Sequence, residues 1–278
     1  MAILLAIASA VLWGGADFLG GIAARRLKVL VVTSGSQLAG LLVAVALLLL
    51  TGGSISLEGA AYGAAAGIVG ALALSVFYAA LAAGVMSLVA PLSALGAVVP
   101  VSVALTRGED ITVLALIGIG LAFAGVVLIA RREPGTPALT PRVLALAAGA
   151  ALGIGTVLTL FQLGTDVPGS SGLGVVAAAR VASITVTGLA LLVTRTPVRL
   201  GAADVRRVAA VGIGDTGANA LFAVASETGP DALVAVLGSL YPVTTLLLAR
   251  ALLAERLTAR QAVGVLLAVC GAALLSTA

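Results

Sequence analysis

The chain contains no histidine, one cysteine and one tryptophan, and charged residues make up only 9% of its 278 positions. With histidine absent and Cys270 inside the last apolar run, it has neither a Cys/His metal site nor a disulfide framework, and no metal or cofactor is expected. The same absence leaves an intramembrane enzyme as a minor alternative, since such an enzyme needs a nucleophile–base pair, a metal cluster or paired catalytic acids. No Gly-x-x-x-x-Gly-Lys-[Ser/Thr] phosphate loop occurs, so ATP does not drive the protein directly. The formal charge of +4 comes from basic residues scattered through short loops without interleaved aromatics, which argues against a nucleic-acid partner. No basic stretch precedes the apolar run beginning at Ala2, so that run reads as a retained span rather than a cleaved signal.

What is abundant is apolar sequence. Hydrophobic residues make up 61% of the chain and the mean hydropathy is +1.25, whereas about a quarter of a soluble domain is charged. The apolar runs are unbroken over 15 to 24 residues, the length a helix needs to cross ~30 Å of hydrocarbon, and none alternates like a barrel strand. The chain therefore reads as an all-α membrane protein of ten transmembrane helices, near residues 2–22, 29–50, 60–83, 87–106, 111–130, 143–163, 172–193, 208–226, 232–253 and 258–276. The longest break, Arg131 to Arg142, holds Arg132, Glu133, Pro134, Gly135, Pro137 and Pro141 and divides five spans from five.

The two halves repeat. The pattern Glu-x-x-Thr-x5-Gly-x6-Gly occurs as Glu109, Thr112, Gly118, Gly125 and again as Glu255, Thr258, Gly264, Gly271, each position 146 residues from its partner. We expect a first repeat at 1–130 (spans 1–5), a cytoplasmic linker at 131–142 and a second repeat at 143–278 (spans 6–10). With an odd number of spans per unit, the second copy enters the membrane in the opposite sense, which makes the halves inverted repeats. Thirteen of the fifteen Lys and Arg residues lie in or beside odd-numbered loops, one (Arg107) lies in an even loop and one (Arg180) inside a span. Because basic short loops stay in the cytoplasm, both termini are expected outside.

Gly118, Ala122 and Gly125 recur as Gly264, Ala268 and Gly271, small faces on spans 5 and 10 that let helices approach closely in lipid. Gly59, Gly63 and Gly67 form a similar stripe on span 3. Thr258 with Gln261 reads as a capping box at the start of span 10, and Thr112 as a cap for span 5 that has Ala115 where the box would want Gln or Glu. Glu109 and Glu255 read chiefly as loop-ordering residues, with a gating role as the alternative.

The segment from Ser239 to Leu274, with Tyr241-Pro242, Ala254-Glu255-Arg256-Leu257-Thr258, Gln261, Gly264 and Gly271, resembles the end of an EamA-type repeat of the drug/metabolite transporter superfamily. The stretch from Pro91 through Glu109 and Thr112 to Gly125 is similar, and Leu12-Trp13-Gly14 resembles the opening of that repeat. The resemblance covers essentially the whole chain and names no substrate. It implies a ten-helix carrier of small organic metabolites or drugs, with a central cavity lined mainly by spans 1, 3, 4, 6, 8 and 9. Family members are often described with cytoplasmic termini; the charge bias here argues the reverse.

Residue types point to parts of such a cavity. Gly96 to Pro100 and Gly238 to Pro242 place Gly-x-x-x-Pro in spans 4 and 9, where the proline frees the carbonyl four residues earlier: a plain kink, or a binding site at an interrupted helix. Trp13, Tyr78 and Tyr241 lie well inside spans rather than in an interfacial belt, either packing or lining a polar cavity. Asp17, Arg180 and Asp215 are ionisable residues within spans, each costing about 2.5–3.5 kcal/mol at the bilayer centre and so expected to face the bundle interior. Asp215 shares a helical face with Asn219, Phe222 and Ser226; for Asp17, near the end of span 1, the alternative is to reach the interface, and Arg180 is long enough to snorkel outward. Gln37, Ser75, Thr156, Thr159 and Gln162 are weaker polar candidates.

Together these features read as a secondary carrier in the plasma membrane that exports or exchanges a small organic solute by alternating access, with a passive channel or facilitator as the alternative. Its expected partners are that solute, the lipid bilayer and protons as coupling ion, carried by Asp215 with Asp17. A reporter fused after Ala278 that works only in the cytoplasm should be silent, and a cysteine placed at Ser54 should react with impermeant reagents from outside; the opposite pair of results overturns the charge-based orientation.

Overall fold

A backbone in hydrocarbon has no water to bond and must satisfy its own N–H and C=O groups. The computed structural model describes residues 1–83, 86–109, 111–131, 140–253 and 258–275, and their regular structure is entirely helical. In chain order the helices are α1 (Ala2–Ala24), α2 (Val29–Thr51), α3 (Leu57–Ala83), α4 (Met86–Ala94), a 3-10 turn (Leu95–Ala97), α5 (Val98–Thr106), α6 (Val113–Ala130), α7 (Pro141–Thr165), α8 (Gly172–Val193), α9 (Ala202–Ser226), α10 (Asp231–Gly238), α11 (Tyr241–Leu253) and α12 (Ala259–Leu275). Among the described residues, eight stretches suit a membrane span by length and composition, counting Val89–Thr106 and Asp231–Leu252 as one each. Two further apolar helices, Val113–Ile129 and Ala259–Leu275, are shorter.

Helix ends follow the local chemistry of the sequence. Thr258 accepts from the Gln261 N–H at 3.2 Å while the Gln261 side chain accepts from the Thr258 N–H at 3.1 Å, a closed capping box. Thr112 accepts from the Ala115 N–H at 3.1 Å, and Thr140 does the same for Val143 with Pro141 at the first helical position. The eighth span begins earlier than its apolar run, at Ala202 rather than 208, because its first turns are polar. The Asp204 carboxylate accepts from the Gly201 N–H at 3.3 Å and caps that polar start. Hydropathy marks the greasy part of a helix, not its ends.

The fourth and ninth spans are both interrupted. Between α4 and α5 the chain tightens into the 3-10 turn containing Gly96, and between α10 and α11 it turns at Ser239 and Leu240. In each case a proline follows the glycine by four residues, and its ring and missing N–H disfavour a regular bond to that carbonyl.

Helix packing respects the exchange of halves. α1 packs on α9 as α7 packs on α3, α2 on α9 as α8 on α3, and α1 against α10 and α11 as α7 against α4 and α5. α2 with α8 and α6 with α12 map onto themselves. On the small face, Gly118 lies against the Gly271 carbonyl and Leu275, while Gly125 lies against the Gly264 carbonyl and Ala268. The 146-residue offset converts the Gly118–Gly271 contact into the Gly264–Gly125 contact and the reverse. Gly63 and Gly67 on α3 approach the backbone of Val175 and Ala179 on α8 just as closely.

Leucine at Gly118 or Gly264 should therefore overpack the α6–α12 seam and lower stability by about 1–3 kcal/mol or more, read as a lower melting temperature in detergent. Gly120 meets nothing within 4 Å and serves as the control. If Gly118→Leu and Gly264→Leu melt like the parent and like Gly120→Leu, the seam is not a tight contact.

Candidate functional site

Where the broken spans cross the central helices, the packing leaves a cavity of about 100 Å³. Its walls come from α1, α2, α3, α7, α8, α9 and the residues around both helix breaks, so the second and seventh spans join the six implied by family resemblance. Trp13, Asp17, Asp215, Asn219, Gly238 and Tyr241 line it.

Trp13 is placed by three neighbours. Its indole N–H donates to the Asn219 side-chain oxygen at 3.0 Å, and its ring lies 5.5 Å from that of Phe222 at a tilt of 43°. Gly238 supplies the space, for a side chain there would press on both the Trp13 and Phe222 rings. Beyond the break, Thr245 on α11 donates to the Gly14 carbonyl at 3.1 Å, which ties α1 to α11. Tyr241 begins α11, its ring 6.5 Å from Phe77 edge-on, and its hydroxyl is buried with no hydrogen-bond partner among the described residues.

The charges are arranged unequally. Arg180 is buried, 4% exposed, and does not snorkel outward: its guanidinium meets the Asp215 carboxylate at 2.8 Å and donates to the Gln37 side-chain oxygen. Ser183 donates to the same oxygen at 2.9 Å. Three helices, α2, α8 and α9, thus converge on one ion pair, which offsets part of the cost of burying it. Asp17, one turn beyond Trp13 on α1, is 7% exposed and faces the cavity rather than the membrane interface. Among the described residues it makes no ion pair and no hydrogen bond.

Five candidate residues stand outside the cavity. Tyr78 is fully buried behind its wall, packed on Phe77 and against Gly20. Gly96 is consumed by the crossing of the fourth span over α7, where it abuts the Ala151 carbonyl. Pro100 and Pro242 are buried and shape the helix breaks instead of facing the space they create. The Thr156 hydroxyl turns back on its own helix and donates to the Leu152 carbonyl at 2.8 Å. Ser183 and Ser239 line the cavity and were missed; Ser183 stands three residues from Arg180, a helical spacing that places both on one face.

A second polar group ties the halves together at the end carrying the even-numbered loops. Arg107 meets Asp166 at 2.6 Å and Asp231 at 3.5 Å, and the Glu109 carboxylate accepts from the Ala232 N–H at the start of α10. Glu109 thus caps a helix of the other half; its repeat partner Glu255 lies outside the described residues.

Long apolar helices around an internal cavity, mostly apolar with a few polar and charged side chains, mark a multi-pass membrane protein. The model of the EamA-like transporter family matches residues 1–131 and 141–277, and the chain belongs to that family. It is a membrane transporter of the drug/metabolite transporter superfamily, and the family is one of transporters rather than enzymes. Among solved structures, one crystal structure is similar with a TM-score of 0.80 at 20% identity, over 99% of this chain and 96% of that one. At that identity the likeness shows the fold alone. A comparison with curated proteins gives no match.

Breaking the Arg180–Asp215 pair from one side should strand a buried charge. Arg180→Met is expected to lower stability by about 3–5 kcal/mol, and Arg180→Met with Asp215→Leu to recover most of that loss. Melts in which the single and double variants fall equally would show that the two charges are not coupled.

Proposed function

We propose that the protein is a secondary carrier of the plasma membrane, exporting or exchanging a small organic solute by alternating access. The observation that carries this reading is the cavity placed between the two halves, with an interrupted helix from each half at its wall. Irregular backbone is tolerated in a membrane only where protein or a wet cavity covers it, and interrupted spans in corresponding positions mark the binding sites of carriers. On this reading residues 1–130 and 143–278 are two five-span units in inverted relation, joined by a linker at 131–142. The two shorter helices α6 and α12 complete ten spans, and the basic odd loops leave both termini outside. The reciprocal packing of the halves supports the two-fold relation.

A passive channel is the other class of reading. The tie of Arg107 to Asp166 and Asp231 joins the halves at one end of the bundle, which suits a carrier closed on one side more than an open pore.

Protons are the proposed coupling ion. Asp215 is held by Arg180, so the carboxyl group free to take up a proton is Asp17. The groups within electrostatic reach of it are Asp215 on α9, Tyr241 on α11 and Tyr78 on α3. Purified protein in vesicles, given a panel of amino acids, nucleosides, sugars and organic cations, should show saturable uptake of one class, faster when the same solute is inside. Asp17→Asn should flatten the response of that rate to pH. Flux that rises linearly with concentration and ignores solute on the far side would establish a channel, and an unchanged pH profile in Asp17→Asn would remove protons from the mechanism.

A further inference from the structure

We infer that the cavity takes a small organic cation, a protonated amine on an apolar body, with Asp17 as its counter-charge. The inference rests on the carrier reading and adds the chemical class of the solute. It follows from accounting for every ionisable group at the wall. Asp17, Arg180 and Asp215 line the cavity, and no lysine or histidine occurs there. Arg180 is engaged by Asp215 and Gln37, with 5% of its side chain exposed. Its Nε and Nη2 are both fully buried without a hydrogen bond, Nη2 lying 2.8 Å from the Asp215 carboxylate, so neither is open to the cavity. The cavity thus presents no free cation to a carboxylate or phosphate.

Asp17 is the opposite case. An ionised carboxylate in a largely apolar space is costly unless a partner neutralises it, and among the described residues none does. A solute that brings its own positive charge supplies the missing partner. Tyr241 lines the same space and lies within electrostatic reach of Asp17. The remaining wall is apolar and aromatic, with Trp13, Phe77 and Phe161 among its faces. Such rings attract a cation to their faces and pack against a hydrocarbon body. A space of about 100 Å³ holds roughly seven to ten water-sized groups, which limits the solute to a comparable number of heavy atoms. Anions meet only repulsion from Asp17, and a zwitterion would leave its own carboxylate unpaired.

The single tryptophan lines the cavity, so intrinsic fluorescence reports binding without a label. Detergent-purified protein at neutral pH is titrated with 2-phenylethylamine, 2-phenylethanol and phenylacetate, three probes of one shape carrying positive, zero and negative charge. The amine should bind about tenfold or more tighter than the alcohol, and phenylacetate more weakly than either. In Asp17→Asn the amine should fall to the affinity of the alcohol while the alcohol is unchanged. The probe ranking in the parent stands on its own if that variant does not fold. Equal binding of amine and alcohol, tighter binding of phenylacetate, an amine preference that survives Asp17→Asn, or no response to any probe would each overturn the assignment. Equilibrium binding involves no flux, so this result and the vesicle result fail independently: transport of an anion or sugar would keep the carrier and discard the cation.

Discussion

Helices immersed in hydrocarbon gain little by hiding apolar surface from one another, because lipid is as apolar as leucine. Association then depends on how closely backbones approach, and in this protein on positions without a side chain. Gly118, Gly125, Gly264 and Gly271 bring α6 and α12 to backbone contact; Gly63 and Gly67 do so for α3 and α8, and Gly96 with Gly155 for the fourth span and α7. Each contact puts a carbonyl where a methyl group would otherwise stand. Such seams cannot slide far without clashing, which gives the bundle fixed crossing points and leaves space only between them. The cavity lies in that space.

The scaffold is symmetric and its chemistry is not. Under the 146-residue offset Gln37 corresponds to Ser183, and these two side chains bond each other where α2 crosses α8. Arg180 corresponds to Ser34 and Asp215 to Val69, so the ion pair belongs wholly to the second half. Asp17 corresponds to Leu163, and it belongs to the first. A repeated unit can supply two-fold packing and paired helix breaks, but an asymmetric solute needs a site that differs from one half to the other. Here that difference is carried by one neutralised ion pair and one carboxyl group without a partner.

Features that live within one helix were legible in the sequence. The Thr258–Gln261 box, the small faces of α6 and α12 and the two broken spans all follow from spacings of three, four or seven residues. What a single helix cannot encode is which neighbour its face meets. Arg180 has the length to reach the interface, and only the convergence of Gln37, Ser183 and Asp215 explains why it stays inside. Tyr78 and Tyr241 look alike as mid-span aromatics, yet one is sealed behind Phe77 and the other borders the cavity. Gly96 and Gly238 share a motif, yet Gly96 is spent on a helix crossing while Gly238 makes room for Trp13.

The central claim is that the space between the halves is the path of the solute. Ser239 sits at the ninth-span break, buried and on the cavity wall, and Cys270 is the protein's single, exposed cysteine. The most direct measurement is flux through vesicles carrying Ser239→Cys with Cys270→Ser after treatment with a membrane-impermeant thiol reagent. The account predicts that modification at 239 stops transport and that the transported solute slows the modification, whereas the same reagent on Gly120→Cys, facing open space, leaves flux intact. Complete modification at 239 with undiminished flux would contradict it.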